Sequence, residues 1–203
     1  MKTARTTLGE LIAIMRGLPE STQDLLKTVF LGVAAALAAV AFLLLTNYVF
    51  RMTFLTFASR SLTYFLAGSF CVIMTTSLAV GLLLNRLSPD AAGSGIPQLK
   101  AAYWKEVGYV HLRPVVVKFI AGVLSLGGGT SLGREGPTVY IGGGLASVLS
   151  GYLGYPKRLR RGAMVIGASA GLAAAFNTPL AAITFVLEEI ITDINSRIIG
   201  RVV

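Results

Sequence analysis

The chain has 203 residues, of which 54% are apolar and 13% charged, about half the charged share of an average soluble protein, roughly 25%. With a mean hydropathy of +0.73 and a net charge of +9, this balance excludes an ordinary soluble domain. The basic residues flank apolar segments, where they meet lipid headgroups, so the charge is read as membrane anchoring and not as nucleic-acid binding.

Along the chain, residues 7–16 place Leu8, Leu11, Ile12 and Met15 at helical spacing, the pattern of a short amphipathic helix on a membrane surface. Pro19 ends it. Ser21, Thr22 and Asp24 then supply N-cap chemistry and early negative charge for the next helix. Residues 1–27 are therefore expected to form an amphipathic segment ahead of a membrane unit over residues 28–203. A bilayer core of about 30 Å takes roughly 20 apolar residues as helix, and the uncharged intervals 28–50 and 61–85 both qualify. Lys27, Arg51, Arg60 and Arg86 bracket them as interfacial anchors. Cys71, the single cysteine, lies inside the second interval, which leaves no disulfide framework and no thiolate metal site.

After Arg86 the pattern changes. Residues 87–117 are polar enough to lie outside the bilayer or at its edge, and their one histidine, His111, reads as a polar loop residue. Residues 118–133 are apolar only briefly before dissolving into a run of glycines at Gly127, Gly128 and Gly129. Residues 136–156 are uncharged but glycine-rich, and residues 162–187 are uncharged but interrupted at Asn177, Thr178 and Pro179. A proline removes one intrahelical bond and pushes the preceding residue out of the α region, so this segment is predicted to break into two helices. Interrupted helices at membrane depth survive where freed backbone groups are buried in protein or line a watery cavity. That is the architecture of transporters. The fold class expected is all-α and polytopic, with broken and tilted helices.

Three motifs carry chemistry. Gly93, Ser94, Gly95, Ile96 and Pro97 put two glycines around a serine just ahead of a helix start. Glycine permits a sharp turn and close approach to a ligand, and the first N–H groups of the helix, from Gly95 and Ile96, lack partners. Together these favour an anion; the plainer alternative is a serine N-cap. Gly133, Arg134, Glu135, Gly136 and Pro137 form the second motif. Pro137 suits a first helical turn, which places the Glu135 carboxylate at or just before a positive helix end. The alternative is an Arg134–Glu135 surface pair, but a carboxylate between two apolar stretches is expensive enough that a functional role is the default. The third runs over residues 167–180 and ends in Glu188 and Glu189. Its small residues let helices pack closely, and the two acids, pointing about 100° apart on a helix, either mark the water interface or include one that faces a cavity. Residues 128–133 have the glycine spacing of a phosphate-binding loop but lack its Lys and Ser/Thr. No Ser-His-Asp set or HExxH is present, so an enzyme has no support.

GSGIP at residues 93–97, GREGP at residues 133–137 and GLAAAFNTPLAAITFVLEE at residues 171–189, in this order, closely resemble the N-terminal half of the CLC family of chloride channels and chloride/proton antiporters. The resemblance implies that Ser94, with Gly95 and Ile96, binds the central chloride, and that residues 93–97 and 133–137 form two segments of the selectivity filter. Family members with serine at this place favour chloride. Glu135 resembles the gating glutamate that competes with halide and leaves its site when protonated. Glu189 is similar to the internal glutamate that passes protons toward the cytoplasm in antiporters, where channels commonly carry an apolar residue. The resemblance further implies chloride and protons as the transported ions, no cofactor or metal, a homodimer in a bacterial-type inner membrane, and a cytoplasmic N-terminus.

The chain departs from the family by what it lacks. The second inverted half of the family supplies a GxFxP segment and a tyrosine that closes the central site, and no GxFxP occurs in these residues. The chain reads as truncated just after an apolar segment begins at Ile198, so half of the anion site is missing and it is not expected to transport unaided. Chloride/proton antiport by the complete protein is the expected activity. The rivals are a passive glutamate-gated chloride channel and a non-transporting half-protein that assembles with partners.

Overall fold

The computed structural model describes residues 19–58 and 61–191. The expected amphipathic helix over residues 7–16, the anchor Arg60 and the segment beginning at Ile198 lie outside the described residues. Those described form helices, tight turns and short connections, with no strand among them.

Helix α1 (Glu20–Phe50) has 31 residues and would span about 46 Å at 1.5 Å per residue, longer than an apolar core of about 30 Å, so it tilts or projects its charged first turns beyond that core. Its N-cap is Pro19, whose carbonyl accepts from the N–H groups of Thr22 and Gln23 at 3.0 and 3.1 Å, with no side-chain cap. The capping role expected of Ser21, Thr22 and Asp24 is thus corrected: the extended Pro19 is the N-cap, and the helix has already begun where those side chains stand. Nor does Arg51 end the helix. The chain continues through a π-helical turn, Arg51–Leu55, into Thr56–Ala58.

One stripe of α1, Leu31, Ala35, Ala39 and Phe42, is fully buried, while Leu25, Val29, Val33, Leu37 and Leu44 on other faces are exposed. Helix α2 (Leu62–Leu87) buries none of its residues fully and exposes Leu66, Phe70, Met74, Leu78 and Leu82. Continuous apolar exposure of this kind would be untenable in water and suits lipid.

After a 3₁₀ turn, Pro89–Ala91, comes α3 (Ile96–Lys105). Helix α4 spans Leu112–Gly127. The boundary drawn at residue 118 is thereby corrected: the helix begins earlier, at Leu112, because Pro114 falls in its first turn, where an N–H is dispensable. It ends on the first glycine of the run, with Gly128 as its C-cap, where the sequence had the apolar stretch dissolve.

Helices α5 (Glu135–Tyr152) and α6 (Lys157–Phe176) form the centre of the fold, with α1 packed against both. Their approach depends on glycine. A Cβ on Gly142 would strike the carbonyl oxygen of Gly167 and lie 3.2 Å from the Cα of Gly171, and one on Gly167 would strike Ala146. The small residues of the third motif therefore serve close packing, as expected.

The break at Asn177–Thr178–Pro179 is also present. Asn177 ends α6 in the left-handed region at φ 54°, and α7 (Pro179–Val186) starts on the proline, then passes into a π-helical turn, Leu187–Ile191.

One end of the bundle gathers basic residues. Leu31, near the start of α1, packs with Leu153 and Tyr155 beside the start of α6. Lys27 lies 5.5 Å over the Tyr155 ring, Arg160 lies 5.5 Å over Tyr109, and Arg161 donates to the carbonyl of Trp104. Lys27 and the basic stretch that opens α6, distant in sequence, thus share one end. At the other, Thr53 Oγ1 donates to the Gly127 carbonyl and ties the extension of α1 to the end of α4.

Candidate functional site

The N-termini of α3 and α5 converge. Ahead of α3, Gly93 and Gly95 have φ of 75° and 100°, in the region that glycine alone enters cheaply, so the chain turns twice around Ser94. The N-cap of α3 is Gly95 and not Ser94. Ser94 is exposed, and its hydroxyl bonds to nothing among the described residues, so the plain reading of Ser94 as a cap fails. Gly95 lies beneath Tyr140 of α5, where a Cβ would come within 2.7 Å of the tyrosine Cβ.

Helix α5 starts at Glu135 with Arg134 as N-cap, as the sequence predicted. The buried Thr138 turns its hydroxyl back to the carbonyls of Arg134 and Glu135, at 2.9 and 2.8 Å. Gly136 then makes the decisive contact. A Cβ there would collide with the carbonyl oxygen of Ser94 and lie 3.0 Å from the Ser94 Cβ. The two glycine motifs are therefore in backbone contact, and the N–H groups left unpartnered at two helix starts lie in one region of positive potential.

Glu135 is exposed in a cavity of about 380 Å³ lined also by Thr46, Asn47, Gly133, Arg134 and Phe176. The Arg134 guanidinium stands 5.8 Å over the ring of Phe176. No ion pair joins Arg134 to Glu135, so the surface-pair alternative is not realised. Glu188 and Glu189 are both exposed in the turn after α7, whereas Ile190 and Ile191 are buried. Trp104 of α3 donates its Nε1 hydrogen to the Ile190 carbonyl at 3.1 Å and fixes that turn. At 1.5 Å per residue the helix from Pro179 to Glu189 runs about 15 Å, so Glu189 stands well apart from the cavity of Glu135.

Sequence reading passed over Lys118. This α4 residue is buried, and its ammonium donates to the carbonyls of Gly93 at 2.7 Å and Ala92 at 3.3 Å, directly behind Ser94. The available signal was a lone lysine between apolar runs, VVV before it and FIAGV after it, which in a membrane segment marks function by default. His111 is exposed, with Nδ1 3.3 Å from the Tyr109 hydroxyl, and keeps its modest role. No cluster of metal-binding side chains occurs among the described residues.

Broken helices, lipid-suited outer faces and two helix starts meeting at a serine define a CLC-type membrane fold. The family model described as voltage gated chloride channel matches residues 76–203, and the chain belongs to this family, as its N-terminal portion. The H(+)/Cl(-) exchange transporter ClcA of Salmonella arizonae is 39% identical over 168 residues, covering 81% of this chain and 36% of that protein. Its counterpart in Klebsiella pneumoniae is 38% identical with the same coverage. The crystal structure of a slow cyanobacterial Cl⁻/H⁺ antiporter matches with a TM-score of 0.75 at 26% identity, over 88% of this chain and 43% of that one. A eukaryotic CLC transporter matches with a TM-score of 0.76 at 24% identity, over 88% of this chain and 35% of that one, and shows the fold alone. The chain thus spans about a third of the length of the curated relatives it matches.

Proposed function

We propose that this chain forms one half of the pathway of a chloride/proton antiporter. The observation that carries the reading is the backbone contact between Gly136 and Ser94, which brings the unpaired N–H groups of two helix starts to one point beside a free hydroxyl. An amide-lined site at helix ends holds a monovalent anion, either halide or carboxylate. Ser94, with the N–H groups of Gly95 and Ile96, is the halide site of this reading, within a filter made of residues 93–97 and 133–137. Glu135, at the first position of α5 without a cationic partner, is the competing carboxylate. Protonation removes its charge and lets chloride in, and this competition links the two ions. Glu189 is the second proton station, on the side of the basic end.

The gathering of Lys27, Lys157, Arg160 and Arg161 at one end of the bundle supports a cytoplasmic placement of that end in a bacterial inner membrane, since basic residues concentrate on the cytoplasmic side. The remaining walls of the site are supplied by the half that the longer relatives possess, in a homodimer.

The test is reconstitution of the full polypeptide that carries these residues. A proton gradient imposed across the vesicle membrane is expected to drive chloride uphill. Passive chloride flux without pumping would replace the antiporter by a glutamate-gated channel. The 203-residue chain by itself is expected to bind no chloride measurable by calorimetry, and measurable binding would show that one half suffices for the site.

A further inference from the structure

Four of the first five residues of α6 are cations, Lys157, Arg158, Arg160 and Arg161, and its first turn holds no acid. The start of a helix is its positive end, so these charges gather where they are least favoured until an anion joins them. Among the described residues no carboxylate pairs with any of the four. Arg160 is the extreme case. A guanidinium carries five donor hydrogens, and none of those on Arg160 meets an acceptor among the described residues, its Nε being buried as well. The group is held instead over the Tyr109 ring, 5.5 Å from its centroid.

A braced frame presents this cation. Gly108, at φ 75°, lets the chain between α3 and α4 run against the backbone of Arg161, where an added Cβ would come within 2.6 Å of the amide nitrogen. The buried Ser147 of α5 ties that chain down, donating to the Gly108 carbonyl at 2.6 Å and accepting from the Val110 N–H at 3.1 Å. Two cavities flank the pair of Tyr109 and Arg160. One, of about 360 Å³, is lined also by Glu106, Val107 and Lys157. The other, of about 280 Å³, continues along Val110, Leu112, Val148 and Tyr152. The first is charged and the second chiefly apolar, and Leu112 and Tyr152 on its wall are exposed, as suits a groove open to lipid.

The geometry points to a binding site for an anionic phospholipid, with the phosphodiester of its headgroup between Arg160 and Lys157 and an acyl chain along Leu112, Val148 and Tyr152. A planar guanidinium matches two oxygens of a phosphodiester at once, and basic pockets between membrane helices are where anionic headgroups lodge. A free phosphate would use the same cations, but the apolar groove that continues from them selects the lipid. Glu106, exposed in the charged cavity, opposes the anion and limits its affinity. The inference needs the membrane fold alone, so it stands whether or not the full polypeptide exchanges chloride for protons.

The experiment titrates the full polypeptide in detergent with dioleoyl phosphatidylglycerol and, separately, with dioleoyl phosphatidylcholine and inorganic phosphate, reading bound ligand from native mass spectra. Phosphatidylglycerol is expected to bind about tenfold or more tighter than either. Removing one basic residue near a membrane surface weakens anionic-lipid binding by about fivefold, so Lys157→Gln is expected to lose about that factor. Arg160→Gln is expected to lose more, because the bidentate contact goes with the charge. Glu106→Gln is expected to bind a few fold tighter. If Arg160→Gln fails to fold, judged by its elution profile, Lys157→Gln and Glu106→Gln decide, both being changes at exposed positions. Equal affinity for the two lipids, or unchanged affinity for phosphatidylglycerol in the folded variants, overturns the site. Inorganic phosphate that binds as tightly as phosphatidylglycerol overturns the lipid as its occupant.

Discussion

Two glycines of one pentapeptide are expected to respond very unequally to the same change. Replacing Gly136 by alanine puts a Cβ onto the Ser94 carbonyl oxygen and 3.0 Å from both its carbonyl carbon and its Cβ. The obstacle is backbone at the bend set by Gly93 and Gly95, so neither side yields by rotating a side chain, and the two helix starts must separate. Overpacking of this kind costs about 1–3 kcal/mol. For a domain of this size that corresponds to roughly 2–4 °C of melting temperature per kcal/mol. The functional loss is expected to exceed the loss of stability, because the displaced group is Ser94 itself. Gly133→Ala is the matched control, since nothing lies within 4 Å of its added Cβ, and its effect should stay within about 0.5 kcal/mol. Thermal unfolding in detergent and chloride flux in vesicles, measured on both variants of the full polypeptide, make the comparison. Equal flux from the two, or a larger deficit in Gly133→Ala, would refute contact between the two motifs as the basis of the site.

Glu135→Gln removes a charge worth about 0.3–1 kcal/mol at a helix start, so folding should be nearly unchanged while chloride still moves and proton coupling disappears; coupling that persists in paired chloride and pH recordings rejects the gate. Glu189→Gln should slow proton movement with chloride flux preserved, read in the same recordings. Trp104→Phe deletes the bond to the Ile190 carbonyl and should lower stability by about 1 kcal/mol, with proton flux falling more than chloride flux because the turn that carries Glu189 loosens. Gly142→Ala forces α5 and α6 apart at a backbone contact and should cost about 1–3 kcal/mol, visible as a lowered melting temperature and loss of a single elution peak.

Legibility in the sequence followed the range of the interaction. The two long spans, the break at Asn177–Thr178–Pro179 and the start of α5 at Glu135 depend on neighbours in the chain: uncharged runs, a proline, a carboxylate at a helix start. Each was readable. The N-cap of α1 was misplaced because Ser21 and Thr22 carry the side chains that usually cap, whereas the first N–H groups bond to the carbonyl of Pro19, a residue that no capping pattern marks. The meeting of Gly136 with Ser94 was anticipated through resemblance alone, since no periodicity links residues some forty positions apart. Lys118 escaped because its partners are carbonyls. A cation satisfied by a carboxylate leaves two letters to match, whereas one satisfied by the backbone of Ala92 and Gly93 leaves only itself, and here it stood as the boundary between a polar stretch and an apolar one.

The charges at this site are kept apart by construction, and the separation bears on mechanism. Arg134 and Glu135 are adjacent in sequence, and an ion pair between them would neutralise the carboxylate where it stands. It would then have little tendency to exchange with a halide. Instead the guanidinium lies 5.8 Å over the ring of Phe176, the last residue of α6 before the chain turns left-handed at Asn177. An aromatic face attracts a cation without supplying a formal negative charge, so the arginine is held while the glutamate remains without a cationic partner. Were α6 to continue without interruption, Phe176 would belong to an unbroken helical surface and α7 would not depart from that point. The break in one helix and the carboxylate at the start of another are therefore parts of a single arrangement, in which Phe176 restrains the cation that would otherwise neutralise the proposed gate.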